Sequence, residues 1–230
     1  MVIKKISFPI YGMIVIISLI VGSLYIYYSL KYSLKKEKIE NKNILLYFLL
    51  YFAFAIILGK YYTMFITKES DIVKAGLTSY GGAIGVITSA MIFEKIVPTN
   101  YKVLKYSILS LPLVYGLSKL GCFFAGCCYG IPYQGPFHVS YPDVLEKTVF
   151  PIQLLESILF IILFFLLNHT KNKKNIIGIT ILASAILKFC LDFLRYDHTK
   201  YGITPNQIMS ILIVIFIVII GIIKKKKTHN

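Results

Sequence analysis

An all-helical protein that crosses a membrane about seven times is the fold class this sequence predicts, and three observations predict it. The 230 residues are 57% hydrophobic with a mean hydropathy of +0.73, and only 15% are charged, a balance far too apolar for an ordinary soluble domain. Apolar runs long enough to span ~30 Å of hydrocarbon at ~1.5 Å per helical residue recur along the whole chain. Only short connections lie between them, so residues 1–230 read as a single integral membrane domain.

In order, the runs fall at about residues 8 to 30, 44 to 59, 80 to 97, 102 to 125, 149 to 168, 175 to 195 and 206 to 223. The second and fifth are short but almost free of charge, whereas the third and sixth carry ionisable residues. The first, in MVIKKISFPIYGMIVIISL, opens like a signal peptide; no small-x-small cleavage site follows it, so a retained first helix is expected. Basic residues set the expected orientation. With Lys188 inside a span, nine Lys and Arg fall on the side of Lys60, Lys119 and Arg195, and fifteen on the side of Lys31, Lys42, Lys102 and Lys224 to Lys227. The richer side is expected to be cytoplasmic, giving N-out and C-in, although Lys4 and Lys5 alone favour N-in. The net charge of +15 is then a property of span flanks. No basic stripe with interleaved aromatics occurs, so nucleic acid is not an expected partner.

Under this topology four helix ends with unusual residues meet on the outer face. SYGG (Ser79 to Gly82) opens the third span, GCFFAGCCYG (Gly121 to Gly130) closes the fourth, FPIQLLES (Phe150 to Ser157) opens the fifth, and LKFCLDFLRYD (Leu187 to Asp197) closes the sixth. Gln153 and Glu156 are three apart and share a helix face. The sixth helix runs the opposite way, with Arg195 at the mouth, Asp192 about one turn below and Lys188 one turn deeper, so Lys188 is expected near the level of Glu156. Charges facing lipid at such depth cost at least ~2.5 to 3.5 kcal/mol each, so they are expected to face the interior or a wet cavity, as a site or as mutually neutralising neighbours.

The remaining motifs each admit two roles. Gly81, Gly82 and Gly85 permit close helix packing, or bare N–H groups for a lipid phosphate at a helix start. Glu94 and Lys95 are expected to snorkel, and Lys224 to Lys227 to act as a stop-transfer and lipid contact. Cys122, Cys127 and Cys128 lack a second ligand pair at the usual spacing and the four histidines are scattered, so no metal is expected. The cysteines read as small structural residues, a disulfide on an oxidising face, or catalytic thiols.

The ordered motifs SYGGAIG, LSKLGCFFAGCCYG, FPIQLLES, FLRYD and GITPNQIMS, from about residue 79 to 210, resemble the bacterial prolipoprotein diacylglyceryl transferases. The resemblance implies transfer of a diacylglyceryl group from phosphatidylglycerol to a lipobox cysteine thiol of a preprolipoprotein, with release of glycerol phosphate. It implies a multi-pass protein of the bacterial plasma membrane, with its site toward the outer face and no cofactor. Phosphatidylglycerol, preprolipoprotein signal peptides and membrane lipids are its implied partners, and a monomer is expected. Tyr80, Glu156 and Arg195 take the catalytic positions, and Gly81, Gly82, Lys119, Gly121, Cys122, Gly126, Gly130 and Gln153 the substrate-binding ones. Where the family commonly shows His before the two glycines this chain has Tyr80, and its usual Arg, Asn and Glu are here Lys119, Cys122 and Cys127; the His of the fifth-span motif is Phe150. Pro151 and Gln207 are kept. A membrane thiol oxidoreductase, or a non-catalytic lipid-binding protein or transporter on the same fold, are the alternatives.

Overall fold

A computed structural model describes residues 1–3, 9–33, 40–68, 70–72, 75–97 and 102–229. Lys4, Lys5, Lys35, Lys36, Lys38 and Lys74, which enter the charge count above, lie outside the described residues, as do the side chains of Lys200 and Lys224 to Lys227. Among the described residues seven long helices stand where the apolar runs predict them: α1 (Ile10–Ser33), α2 (Asn41–Thr67), α3 (Ser79–Ile96), α4 (Val103–Ala125), α5 (Ile152–His169), α6 (Ile176–Asp192) and α8 (Pro205–His229), with a short α7 (Tyr196–Tyr201) before the last. Regular structure among the described residues is otherwise limited to isolated β-bridges. Among the described residues five helices, α1, α2, α4, α5 and α8, are long and apolar enough to cross a membrane. The other two are the pair that carry Glu94 and Lys95, or Lys188 and Asp192.

The described chain divides into two compact units, Leu19–Val114, and Met1–Ser18 with Tyr115–Asn230. In the first, α2 and α3 pack through small residues. Tyr47, Tyr51, Ala55, Gly59 and Thr63 form a buried stripe at four-residue spacing along α2. Against it lie the α3 glycines: a Cβ at Gly85 would stand 2.2 Å from the Phe54 carbonyl oxygen, and one at Gly81 2.5 Å from that of Leu58. Only glycine lets the backbones approach this closely. A Cβ at Gly82 would meet nothing nearer than 3.9 Å. Glu94 does more than the snorkelling expected of it. Its Oε1 accepts the Leu104 backbone N–H at 2.8 Å, satisfying one of the unpaired amides at the start of α4.

In the second unit α6 packs on α5 and α8. The long connection from α4 to α5 folds over its own core of Ile3, Phe123, Val139, Tyr141 and Val149. Burying each aliphatic side chain contributes roughly 1.5 to 3 kcal/mol, enough to hold a loop with little regular structure. Backbone bonds complete it: Val139 and Val149 exchange a pair at 3.0 and 2.9 Å, and Ile3 N–H reaches the Ser140 oxygen at 2.9 Å.

Candidate active site

The end of α4 brings the cysteines together. Gly126, at φ +65°, adopts the left-handed conformation in which glycine pays no steric penalty. Its N–H donates to the Phe123 oxygen at 3.4 Å and the Cys127 N–H to that of Cys122 at 3.1 Å, the paired bonds of a Schellman C-cap. That motif sets the residue after the glycine's position against the one five before it, here Cys127 and Cys122. Cys128 follows with φ 55°, uncommon for a residue with a Cβ. All three sulfurs are free thiols and lie within 4.8 Å of one another. The Cys127 thiol also donates to the Cys122 oxygen at 3.7 Å.

Helix spacing builds the charged cluster beneath. Tyr115 and Lys119 are four apart on α4, Gln153 and Glu156 three apart on α5, and Lys188 and Asp192 four apart on α6, so each pair shares a face. Lys119 Nζ stands 2.7 Å from Glu156 Oε2. The Tyr115 hydroxyl donates to Glu156 Oε1 at 2.7 Å and accepts from Lys188 Nζ at 2.8 Å, so Lys188 does stand level with Glu156. Both ammonium groups also lie over the Tyr115 ring, at 5.1 and 4.6 Å from its centre. Gln153 turns the other way, its Nε2 donating to the Cys127 oxygen at 2.8 Å and to the Tyr141 hydroxyl at 3.5 Å.

Arg195 is tied to the cysteine loop by backbone. Ile131 N–H donates to the Leu194 oxygen at 3.0 Å and Tyr196 N–H to the Tyr129 oxygen at 3.1 Å, an antiparallel bridge pairing Gly130 with Arg195. A Cβ at Gly130 would lie 2.5 Å from the Phe150 oxygen, so the close approach requires glycine. Arg195 is 6% exposed, its guanidinium flanked by Asp192 at 3.7 Å and Asp197 at 3.8 Å, both beyond hydrogen-bond contact. Its Nε meets no hydrogen-bond partner among the described residues. Asp192 is held instead by Thr204 Oγ1 and by Asn206 Nδ2 at 3.4 Å. Thr204 and Gln207 form a capping box, Thr204 N–H to Gln207 Oε1 at 3.1 Å and Gln207 N–H to Thr204 Oγ1 at 3.2 Å, with Pro205 as the first helical residue.

Of the sequence-predicted residues, Lys119, Cys122, Gly130, Gln153, Glu156 and Arg195 thus meet in one cluster. Gly126 shapes the turn, and Gly121 seats α4 near Tyr11 and Ile14, a Cβ there lying 3.3 Å from each. Tyr80, Gly81 and Gly82 lie at the start of α3 in the other unit, where Tyr80 is buried and Gly81 serves helix packing. Sequence reasoning did not anticipate Tyr115, the hydroxyl that joins Glu156 to Lys188. Its position one turn before Lys119 was the available signal.

A helical membrane protein with a buried cationic cluster beside three thiols is what the fold and site define. The profile of the prolipoprotein diacylglyceryl transferases matches residues 1–223, and the chain belongs to that family. It is 31% identical over 158 residues to the phosphatidylglycerol–prolipoprotein diacylglyceryl transferase of Clostridium tetani, covering 64% of this chain and 62% of that one. The Finegoldia magna protein of the same name is 32% identical over 177 residues, covering 73% and 69%, and that of Campylobacter hominis 23% identical, covering 96% and 88%. The chain spans somewhat under two thirds of the length of the Clostridium relatives it matches.

Proposed function

We propose that this protein transfers the diacylglyceryl group of phosphatidylglycerol to a cysteine thiol of a preprolipoprotein, as the names of its relatives state for them. In this reaction a thiolate attacks the glyceryl carbon that bears the phosphate, and glycerol phosphate leaves. The carrying observation is Arg195: buried, held beside the cysteine loop, with its Nε unpartnered and its flanking carboxylates too distant to saturate its N–H groups. Such a fork suits two phosphate oxygens better than an ammonium does. Lys119 and Lys188 are both engaged with the Glu156–Tyr115 pair, which leaves Arg195 as the cation of the cluster with N–H capacity to spare for an anion.

Stabilising a leaving phosphate from preset cations in a water-poor site is worth more than the same contacts in water. Glu156, engaged by Lys119 and Tyr115, is a positioning residue that fixes those two groups. Tyr80 enters as a catalytic candidate from its motif alone. The protein is N-out and C-in in the plasma membrane, crosses it seven times as a single domain, works as a monomer and has its site toward the outer face, an orientation supported by the Lys and Arg distribution.

The test is reconstitution of the pure protein in vesicles with a lipobox peptide. Expected in phosphatidylglycerol vesicles is a peptide heavier by one diacylglyceryl group, with glycerol phosphate released in equal amount, and neither product in phosphatidylcholine. A folded protein that leaves the peptide unchanged in both sinks the assignment.

A further inference from the structure

The proposed transfer needs its acceptor as a thiolate, and the described carboxylates of the site are poorly placed to make one. Glu156 is bound by Lys119 and Tyr115, and Asp192 by Thr204 and Asn206. What adjoins this cluster is the group of three thiols, Cys122 buried and Cys127 and Cys128 half-exposed, with sulfurs within 4.8 Å of one another. A zinc ion binds sulfur at ~2.3 Å, which places tetrahedrally arranged sulfurs about 3.8 Å apart. Each pair of sulfurs therefore needs to close by at most about 1 Å, a shift that small χ1 rotations supply. Their geometry is imposed by the fold: the Schellman turn sets Cys127 over Cys122, the positive φ of Cys128 turns the next residue back, and Gln153 pins the Cys127 carbonyl.

We propose, resting on the transferase assignment, that Cys122, Cys127 and Cys128 bind a zinc-type soft cation as thiolates and leave its fourth position open for the acceptor cysteine. Three protein ligands with an open fourth place distinguish a catalytic zinc site from a structural one, and a thiol that coordinates such an ion loses its proton. The spacing Cys-x4-Cys-Cys looked unsuitable for a metal because the sequence shows no second pair. In the fold the second pair is replaced by an incoming substrate. Cys127 and Cys128 are only partly buried, which leaves one side of the cluster to an incoming thiol, and Arg195, whose backbone pairs with Gly130 two residues after Cys128, supplies the guanidinium for the departing phosphate.

Binding releases the three protein thiol protons and then the acceptor's proton to solvent. The metal-bound sulfur donates an electron pair to the glyceryl carbon as the C–S bond forms. The C–O bond to phosphate breaks, its electron pair leaving on glycerol phosphate. Nothing is oxidised or reduced, and the thioether product, a weak ligand, departs.

The test uses the reduced full-length protein, stripped with a chelator and titrated with Zn2+, then with Co2+ as a spectroscopic probe. Expected is about one zinc per chain, with affinity falling more than about tenfold in Cys122→Ser and in Cys128→Ser and unchanged in Cys190→Ser, at the exposed cysteine outside the cluster. In the wild type, the thiolate-to-cobalt absorption grows when a Cys lipobox peptide is added and not with its Ser analogue. Failure of the reduced protein to take up zinc, binding indifferent to the two substitutions, or a disulfide between Cys122 and Cys127 in the native membrane each overturns the proposal. Undiminished transfer by the stripped protein overturns the metal while the transferase stands. A cobalt response to the Cys peptide without transfer upholds the metal site and removes the transferase.

Discussion

Lys119 and Glu156 form an ion pair of 2.7 Å in which neither side chain is open to solvent. Removing one partner of such a pair leaves an uncompensated buried charge, a loss of about 3–5 kcal/mol, whereas replacing both with apolar groups is often neutral. Glu156→Ala is therefore expected to lower the thermal midpoint sharply, and Lys119→Met with Glu156→Leu to recover most of it while activity stays lost. Circular dichroism with a parallel transfer assay checks both. Equal destabilisation by the single and double variants would argue against a pair acting as a unit.

The glycines of α3 separate packing from binding. Gly85→Ala drives a methyl group against the Phe54 carbonyl at 2.2 Å and is expected to destabilise the α2–α3 contact. Gly82→Ala meets nothing closer than 3.9 Å, so its stability is expected to match the wild type. A loss of transfer in Gly82→Ala at unchanged thermal midpoint places this helix start at substrate; full activity removes Gly82 from the binding set.

At the turn after α4, Gly126→Ala forces a methyl group into a left-handed conformation, at a cost of roughly 1–2 kcal/mol, and against the Tyr141 ring at 3.1 Å. The expected outcome is a lower midpoint together with slower formation of a Cys122–Cys127 crosslink by a short bis-alkylating reagent, since the turn is what apposes the two thiols. An unaltered crosslinking rate would remove the turn from that role.

The three thiols are expected to titrate apart in the metal-free protein. Hydrogen bonds from Cys122 and then Cys127, helped by Lys119 and Arg195, hold the Cys128 thiol well below its ordinary range against the effect of burial. At Cys127 the Cys122 bond acts downward, but the bond to Cys128 and burial outweigh it, and the thiol is pushed up to about 12. A lowered value keeps the thiolate present as pH falls, so iodoacetamide at mildly acidic pH should label Cys128 and spare Cys127. Mass spectrometry of labelled peptides reads this directly, and preferential labelling of Cys127 is the contrary result.

Much of this was legible in the sequence because hydrocarbon thickness imposes a length on apolar runs: among the described residues a helix stands over each of the seven runs, and five of these helices are long and apolar enough to cross a membrane. The i, i+3 and i, i+4 spacings of Gln153 with Glu156 and of Lys188 with Asp192 likewise carried the depth of the charged cluster, since a regular helix converts residue number to height. What the sequence obscured depended on irregular backbone or on contacts between helices. The Schellman turn that apposes Cys122 and Cys127 has the sequence signature of a glycine after a helix, yet spacing rules for metals ignore it. Tyr115 looked like one apolar-run aromatic among many, and only the meeting of α4 with α5 and α6 gives its hydroxyl a partner on either side. Glu94 drew attention as a charge near a span end, but its N-capping of α4 required the fold.

The decisive measurement is complementation of a bacterial strain depleted of its own diacylglyceryl transferase, comparing wild type with Arg195→Ala at equal membrane levels and following lipid-modified lipoprotein by gel shift. Rescue by the wild type, with transfer lowered by about a hundredfold or more in Arg195→Ala, is the expected result for a buried guanidinium that holds the departing phosphate. An Arg195→Ala protein that restores lipoprotein modification as well as the wild type would contradict it.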